Sequence, residues 1–187
     1  TLDPAATGLL VLAIGKYTKR VPELLKQDKT YEVTMKLGET STTGDKEGEI
    51  TAVSSTQPTK TMILEALEHL TGDIMQTPPA FSAIKVNGQR AYDLARKGKE
   101  VVIEPRPVTI YKNELISYEY PFVQFTSEVG SGTYIRSLVE DLGAQLETGA
   151  YMSDLRRTAI GAFSIERAVQ LQDIDFQAIE NNLTQLP

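Results

Sequence analysis

The sequence predicts an α+β fold in which a mixed, mainly antiparallel sheet is flanked by helices. Three patterns carry that prediction. Tyr31, Val33, Met35 and Leu37 alternate with other residues at period two, and Val123, Phe125, Ser127 and Val129 repeat the pattern, so each run reads as a strand with one buried face. Ile135, Leu138, Val139, Leu142 and Leu146 instead follow helical spacing and make one apolar stripe.

The other elements follow in chain order. Asp3 stands before Pro4, which fixes its own φ and pushes Asp3 away from the helical region, while Gly8 permits a close approach or an unusual backbone angle. A held carboxylate therefore precedes the apolar run beginning at Leu9, which is expected to enter the core. Taken alone, such an Asp-Pro turn also reads as a plain turn or helix cap. The polar stretch Gly38 to Gly48 reads as a long exposed loop, and its acidic residues do not follow the calcium-loop template. Thr61 can cap a helix carrying Ile63, Leu64, Leu67 and Leu70 and ended by Gly72. Phe81 to Val86 reads as a strand closed by the tight turn Asn87-Gly88, and Val108 to Ser117 and Ala159 to Ile165 are further strand candidates.

Composition bounds the chemistry. With 187 residues and 41% hydrophobic content the chain can bury one core, and no apolar run approaches the length of a membrane span. There is no cysteine, so neither a disulfide framework nor a thiolate metal site is available, and the one histidine, His69, cannot build a zinc cluster. His69 reads as a structural residue near the end of a helix, where a cation suits the dipole. Gly15-Lys16 is not embedded in a P-loop pattern, which discourages a nucleotide-dependent small-molecule enzyme. The net charge of −6 argues against broad nucleic-acid binding. Basic residues nevertheless gather locally, as Lys16, Lys19 and Arg20, as Arg90, Arg96, Lys97 and Lys99, and as Arg156 and Arg157. Each group reads equally as a solvated face or, if they converge, as part of a phosphate track.

Five segments, in order, carry a resemblance. Thr1-Leu2-Asp3-Pro4-Ala5-Ala6-Thr7-Gly8, Asp28-Lys29-Thr30-Tyr31-Glu32-Val33, Pro79 to Gly88 with Ala91 to Gly98, Gly132-Thr133-Tyr134-Ile135-Arg136-Ser137-Leu138, and Leu155-Arg156-Arg157 span almost the whole chain. Together they resemble the motifs of the TruB-type tRNA pseudouridine synthases. The resemblance implies a catalytic-domain fragment over residues 1–187, lacking the family's N-terminal segment and any C-terminal RNA-binding domain of the PUA type, with activity expected to be weak or missing. It implies isomerisation of uridine to pseudouridine in the T-loop of tRNA, by a monomeric cytoplasmic enzyme that needs no cofactor and no metal. Asp3 matches the catalytic carboxylate, as nucleophile or as base. Tyr31 matches the aromatic that supports a flipped base, and Arg136 the expected partner of Asp3. Tyr134, Lys85 and Leu155 match positions lining the substrate site, although Leu155 could equally be core. A non-catalytic RNA-binding or RNA-remodelling module is the alternative that keeps the same surface.

Overall fold

The structure, a computed structural model, describes residues 2–86, 88–98, 101–175 and 177. Thr1 of the first motif, Asn87 of the expected tight turn and Lys99 of the second basic group lie outside the described residues. The elements run β1 (Thr7–Gly8), a 3₁₀ segment (Gly15–Arg20), α1 (Val21–Leu25), β2 (Lys29–Leu37), β3 (Glu39–Ser41), β4 (Ile50–Ala52), α2 (Lys60–His69) and β5 (Gly72–Gln76). They continue through β6 (Lys85–Val86), β7 (Gln89–Arg90), α3 (Ala91–Ala95), β8 (Arg106–Glu119), β9 (Phe122–Val129), α4 (Ile135–Gln145), β10 (Ala150–Ile160) and β11 (Phe163–Ser164).

Seven strands make one sheet in the order β1-β10-β2-β9-β8-β5, with β11 folded back on β10. Among the described strands of this sheet, β1 and β10 run parallel and the other pairs are antiparallel. The alternation in β2 and β9 does what its period requires. Val33, Met35, Leu37, Val123, Phe125 and Val129 are buried with Ile63, Ala66 and Leu67 of α2 and with the stripe of α4, so both helices cover one face of the sheet. Glu32, Gln124, Glu128 and Arg156 lie exposed at the alternate positions.

Ser127 is the one polar member of the buried set, and its partner explains it. It donates to Asn113 Oδ1 at 2.7 Å, and Asn113 Nδ2 donates to the Leu67 and Leu70 carbonyls at 3.2 and 3.4 Å. The pair thus satisfies carbonyls that the end of α2 leaves open.

Several expectations need correction. The cap of α2 is Thr59, whose hydroxyl accepts from the Met62 N–H, and not Thr61. Ala66 takes the buried position expected of Leu64, which is exposed, because residues 63, 66, 67 and 70 are the ones that share a helical face. The apolar run after Asp3 enters the core only at Leu9; Leu10, Leu12 and Ile14 are exposed, since the pairing with β10 stops at Leu9. Phe81 to Val86 is a strand only at Lys85–Val86. The carbonyls of Phe81, Ser82 and Ile84 go to Arg136 and to the start of α3 instead of to a neighbouring strand. The strand expected at Ala159 to Ile165 is the end of β10, a turn at Gly161, and β11. Most of β10 gave no period-two signal because its pairing with β2 slips between Met152 and Asp154 and again between Arg157 and Ala159.

Candidate active site

Asp3 is held at both ends of a short loop. Its carbonyl accepts from the Ala6 N–H at 3.0 Å, closing the turn that Pro4 favours. Immediately after Ala6 the chain adds to the sheet edge as β1, with Thr7 opposite Arg156 and Gly8 opposite Arg157. Gly8 has φ +102°, and a Cβ there would stand 2.2 Å from the Arg157 carbonyl oxygen, so both properties expected of this glycine are used. The Thr7 hydroxyl donates to the Leu155 carbonyl at 3.4 Å and the Leu9 N–H to the Arg157 carbonyl at 2.8 Å.

The carboxylate meets Arg136, which projects from the first turn of α4 with its side chain only 8% exposed. Arg136 Nε lies 3.0 Å from Asp3 Oδ2. The rest of the guanidinium is fixed independently: Nη1 donates to the Thr43 carbonyl at 2.9 Å and Nη2 to the Phe81 carbonyl at 3.0 Å. Asp45 Oδ2 stands 3.7 Å from Nη1, which brings a second carboxylate to the same cation. With these anchors in place, the guanidinium offers a preset donor to Asp3. Asp3 itself remains 41% exposed, open to a molecule arriving from solvent.

Asp45 corrects the expectation of an exposed acidic loop from Gly38 to Gly48. It is buried, accepts from the Thr43 hydroxyl at 2.6 Å and from the Glu47 N–H at 3.0 Å, and follows Gly44, whose carbonyl accepts from the Met152 N–H. A Cβ on Gly44 would press on Glu140 and Arg136, so the absence of a side chain lets the loop lie directly on α4. Burial, with Asp141 beside it, pushes the Glu140 carboxyl above its usual range.

Tyr31 lies on β2 directly opposite Arg157 on β10, packed against the rim of the core. Burial raises its phenol above the usual range, the Arg157 guanidinium pulls it back down, and the Asp3 carboxylate raises it again, so all three groups share one field. Lys29, one strand position pair away, is held below its usual range by burial and by Arg157. Leu155 lies opposite Val33, is buried, and belongs to the core cluster. Tyr134 is half-buried at the start of α4; its N–H donates to Gln76 Oε1 at 2.8 Å and its carbonyl accepts from Gln76 Nε2 at 3.1 Å. It walls a cavity of about 250 Å³ with Ile84, Arg106 and Gly132. Lys85 is exposed on the β6–β7 hairpin and makes no contact with the Asp3–Arg136 pair among the described residues.

The structure thus brings Asp3, Arg136, Tyr31 and the backbone of Leu155 together and leaves Lys85 apart. The sequence analysis missed Asp45, the carbonyls of Thr43 and Phe81, Gln76 and the buried position of Arg157. Only the last had a usable signal, because residues 155 and 157 of a strand share a face. Burial also takes Arg157 out of any surface phosphate track, while Arg156 stays exposed. Of the other basic residues, Arg90 and Arg96 both sit over the Tyr92 ring, 5.8 and 5.6 Å from its centre. His69 is structural here: it accepts from Gln145 Nε2 across 2.7 Å in the last turn of α2. Among the described residues no group of three or more acidic or histidine side chains is arranged to hold a metal ion, and no helix is long and apolar enough to cross a membrane.

Residues 1–135 match the family model for the N-terminal domain of TruB family pseudouridylate synthases, and residues 136–185 match that for the C-terminal domain of tRNA pseudouridylate synthase B. The boundary falls within α4, whose stripe packs against strands from both regions. The chain is 43% identical over 183 residues to tRNA pseudouridine synthase B of Clostridium acetobutylicum, covering 98% of this chain and 63% of that protein. It is 43% identical over 186 residues to the protein of the same name from Caulobacter vibrioides, covering 99% of this chain and 60% of the relative. It therefore spans about three fifths of the length of these relatives. Among solved structures it is similar to a chain of a Cbf5-Nop10-Gar1 complex, with a TM-score of 0.70 and 31% identity over 92% of this chain and 42% of that one. It is also similar to a chain of an H/ACA RNP bound to a substrate RNA containing 2′-deoxyuridine, with a TM-score of 0.66 and 28% identity over 92% of this chain and 41% of that one.

Proposed function

Because the chain belongs to the TruB family of pseudouridylate synthases, we propose that it isomerises uridine to pseudouridine in the T-loop of tRNA, with Asp3 as the catalytic carboxylate. The observation that carries the reading is the 3.0 Å pair between Asp3 and a buried, independently anchored Arg136. The reaction breaks the bond from ribose C1′ to N1 of the base, turns the freed uracil and joins C1′ to C5. N1 gains a proton and C5 loses one, so no oxidant or reductant is consumed. Asp3 acts on the sugar, either as nucleophile at C1′ or as the base that opens the way to a sugar intermediate, and both roles need it ionised. Arg136, 3.0 Å away, pairs with it and fixes its direction.

The uridine has to leave the stack to reach Asp3, and Tyr31 offers an aromatic face at the rim of the core. Tyr134, half-buried at the start of α4, and Leu155, buried opposite Val33, are assigned to the substrate side of the pocket, and Lys85, exposed on its hairpin, to the RNA backbone. Asp3, Arg136 and Tyr31 come from one chain, so a single copy holds the site, and the proposal takes a monomer in the cytoplasm as the working unit. No step of the reaction calls for a metal or an organic cofactor.

The test is to incubate the protein with a T-arm stem-loop and with an anticodon stem-loop from the same tRNA. Pseudouridine is expected in the T-loop and not in the anticodon loop. Tight binding of the T-arm without any pseudouridine would favour the non-catalytic RNA-binding module instead.

A further inference from the structure

Arg136 and Arg157 are the two buried basic side chains among the described residues. Arg136 has carboxylates beside it, whereas no carboxylate among the described residues lies within ion-pair distance of Arg157. Burying a cation without a carboxylate partner opposes folding. The contacts of Arg157 give it another role. Its Nε and Nη2 both donate to the Leu9 carbonyl, at 3.0 and 2.7 Å, just after the loop that carries Asp3. In the sheet it stands opposite Gly8 of β1 on one side and Tyr31 of β2 on the other. Directly across the strand pair stands Tyr31, whose phenol the guanidinium lowers against the effect of burial.

We propose that Arg157 is a positioning residue for the reaction: one guanidinium fixes the exit of the Asp3 loop through the Leu9 carbonyl and orients the Tyr31 phenol, and so sets the distance between the carboxylate and the ring that receives the base. The proposal rests on the roles assigned above to Asp3 and Tyr31. A reacting carboxylate misplaced by about 1 Å loses on the order of 100-fold in rate, so a clamp shared by the two groups matters to chemistry more than to RNA affinity. A plain staple for β1 would lower stability without singling out Tyr31.

The experiment compares Arg157→Met and Arg157→Lys with wild type in the full chain. It has two readouts, turnover on the T-arm stem-loop and the Cζ resonance of Tyr31 in tyrosine-labelled protein, assigned with Tyr31→Phe. The Met variant is expected to lose about 100-fold in kcat with KM within about threefold, and the Lys variant about tenfold, because lysine keeps the charge but not the forked grip. Among the described residues, the charged groups that act on the Tyr31 phenol are Arg157 and Asp3. Removing Arg157 leaves burial and Asp3 to oppose the phenolate, so the Tyr31 titration moves to higher pH in the Met variant and in the same direction, by less, in the Lys variant. If Arg157→Met does not fold, the Lys variant carries both readouts. Turnover in both variants within threefold of wild type, a loss confined to KM, or an unmoved Tyr31 titration overturns the proposal. If wild type itself shows no turnover, the functional reading fails, and the Tyr31 titration alone decides the role of Arg157.

Discussion

At the scale of single residues, the site is organised around one guanidinium that reaches in several directions. Arg136 meets Asp3, the Thr43 and Phe81 carbonyls and, more loosely, Asp45. Lysine has a single ammonium and cannot span these partners, so Arg136→Lys is expected to lower kcat by about 100-fold, about 2.7 kcal/mol of barrier, on the T-arm stem-loop. Arg136→Met should in addition lower stability in urea by about 1–3 kcal/mol, because it strands buried Asp45 and two carbonyls without their cation. Asp45→Asn keeps the shape and the Thr43 contact while removing the second charge. It should cost less in stability than Arg136→Met and still slow turnover, by loosening the donor aimed at Asp3. A rate equal to wild type in Arg136→Lys would show that the fork geometry is irrelevant. Of these partners only Arg136 and Asp3 were legible in the sequence, through their motifs. Asp45 sits in a polar loop with no periodic pattern, and what makes it part of the site is the chain crossing from Gly44 to Met152, a long-range contact that no local window records.

At the scale of elements, the parallel pairing of β1 with β10 is the weakest link that the site needs, since β1 has only two residues. Gly8→Ala places a Cβ 2.2 Å from the Arg157 carbonyl at φ +102°. The expected result is a loss of about 1–3 kcal/mol in stability and a drop in turnover of more than about 100-fold, since the strand that aims Asp3 must detach. Leu138→Ala, deep in the stripe of α4 at 0% exposure, should cost about 2–5 kcal/mol in a urea titration yet leave turnover per folded molecule near wild type. Here the sequence was a better guide. The stripe of α4 and the alternation of β2 and β9 are local patterns, and each appears where it was expected. Most of β10 was missed because its two register slips break the alternation, and Phe81 to Ile84 was misread because its apolar residues look like a strand while its carbonyls serve Arg136 and α3.

At the scale of the whole molecule, a chain with net charge −6 that acts on tRNA, as proposed, has to meet that polyanion through local cations. Affinity for the T-arm stem-loop should therefore fall with salt, with a log–log slope of about −0.7 for each phosphate contacted by a basic side chain. Lys85→Ala is expected to flatten that slope by somewhat less than one while leaving kcat close to wild type, as befits a residue remote from the Asp3–Arg136 pair. An unchanged slope would remove Lys85 from the RNA surface. The central claim is narrower than this surface, because it concerns one carboxylate held by one guanidinium. Forming pseudouridine expels the hydrogen on C5, so a T-arm stem-loop carrying tritium at C5 of its uridines reports the chemical step directly. The decisive measurement is tritium release at saturating RNA by wild type and by Asp3→Asn, with stem-loop affinity measured alongside. Wild type is expected to release tritium and Asp3→Asn to lose more than about 1,000-fold with affinity within about threefold, because the amide keeps the shape and loses the charge. Release by Asp3→Asn within about tenfold of wild type would contradict the central claim.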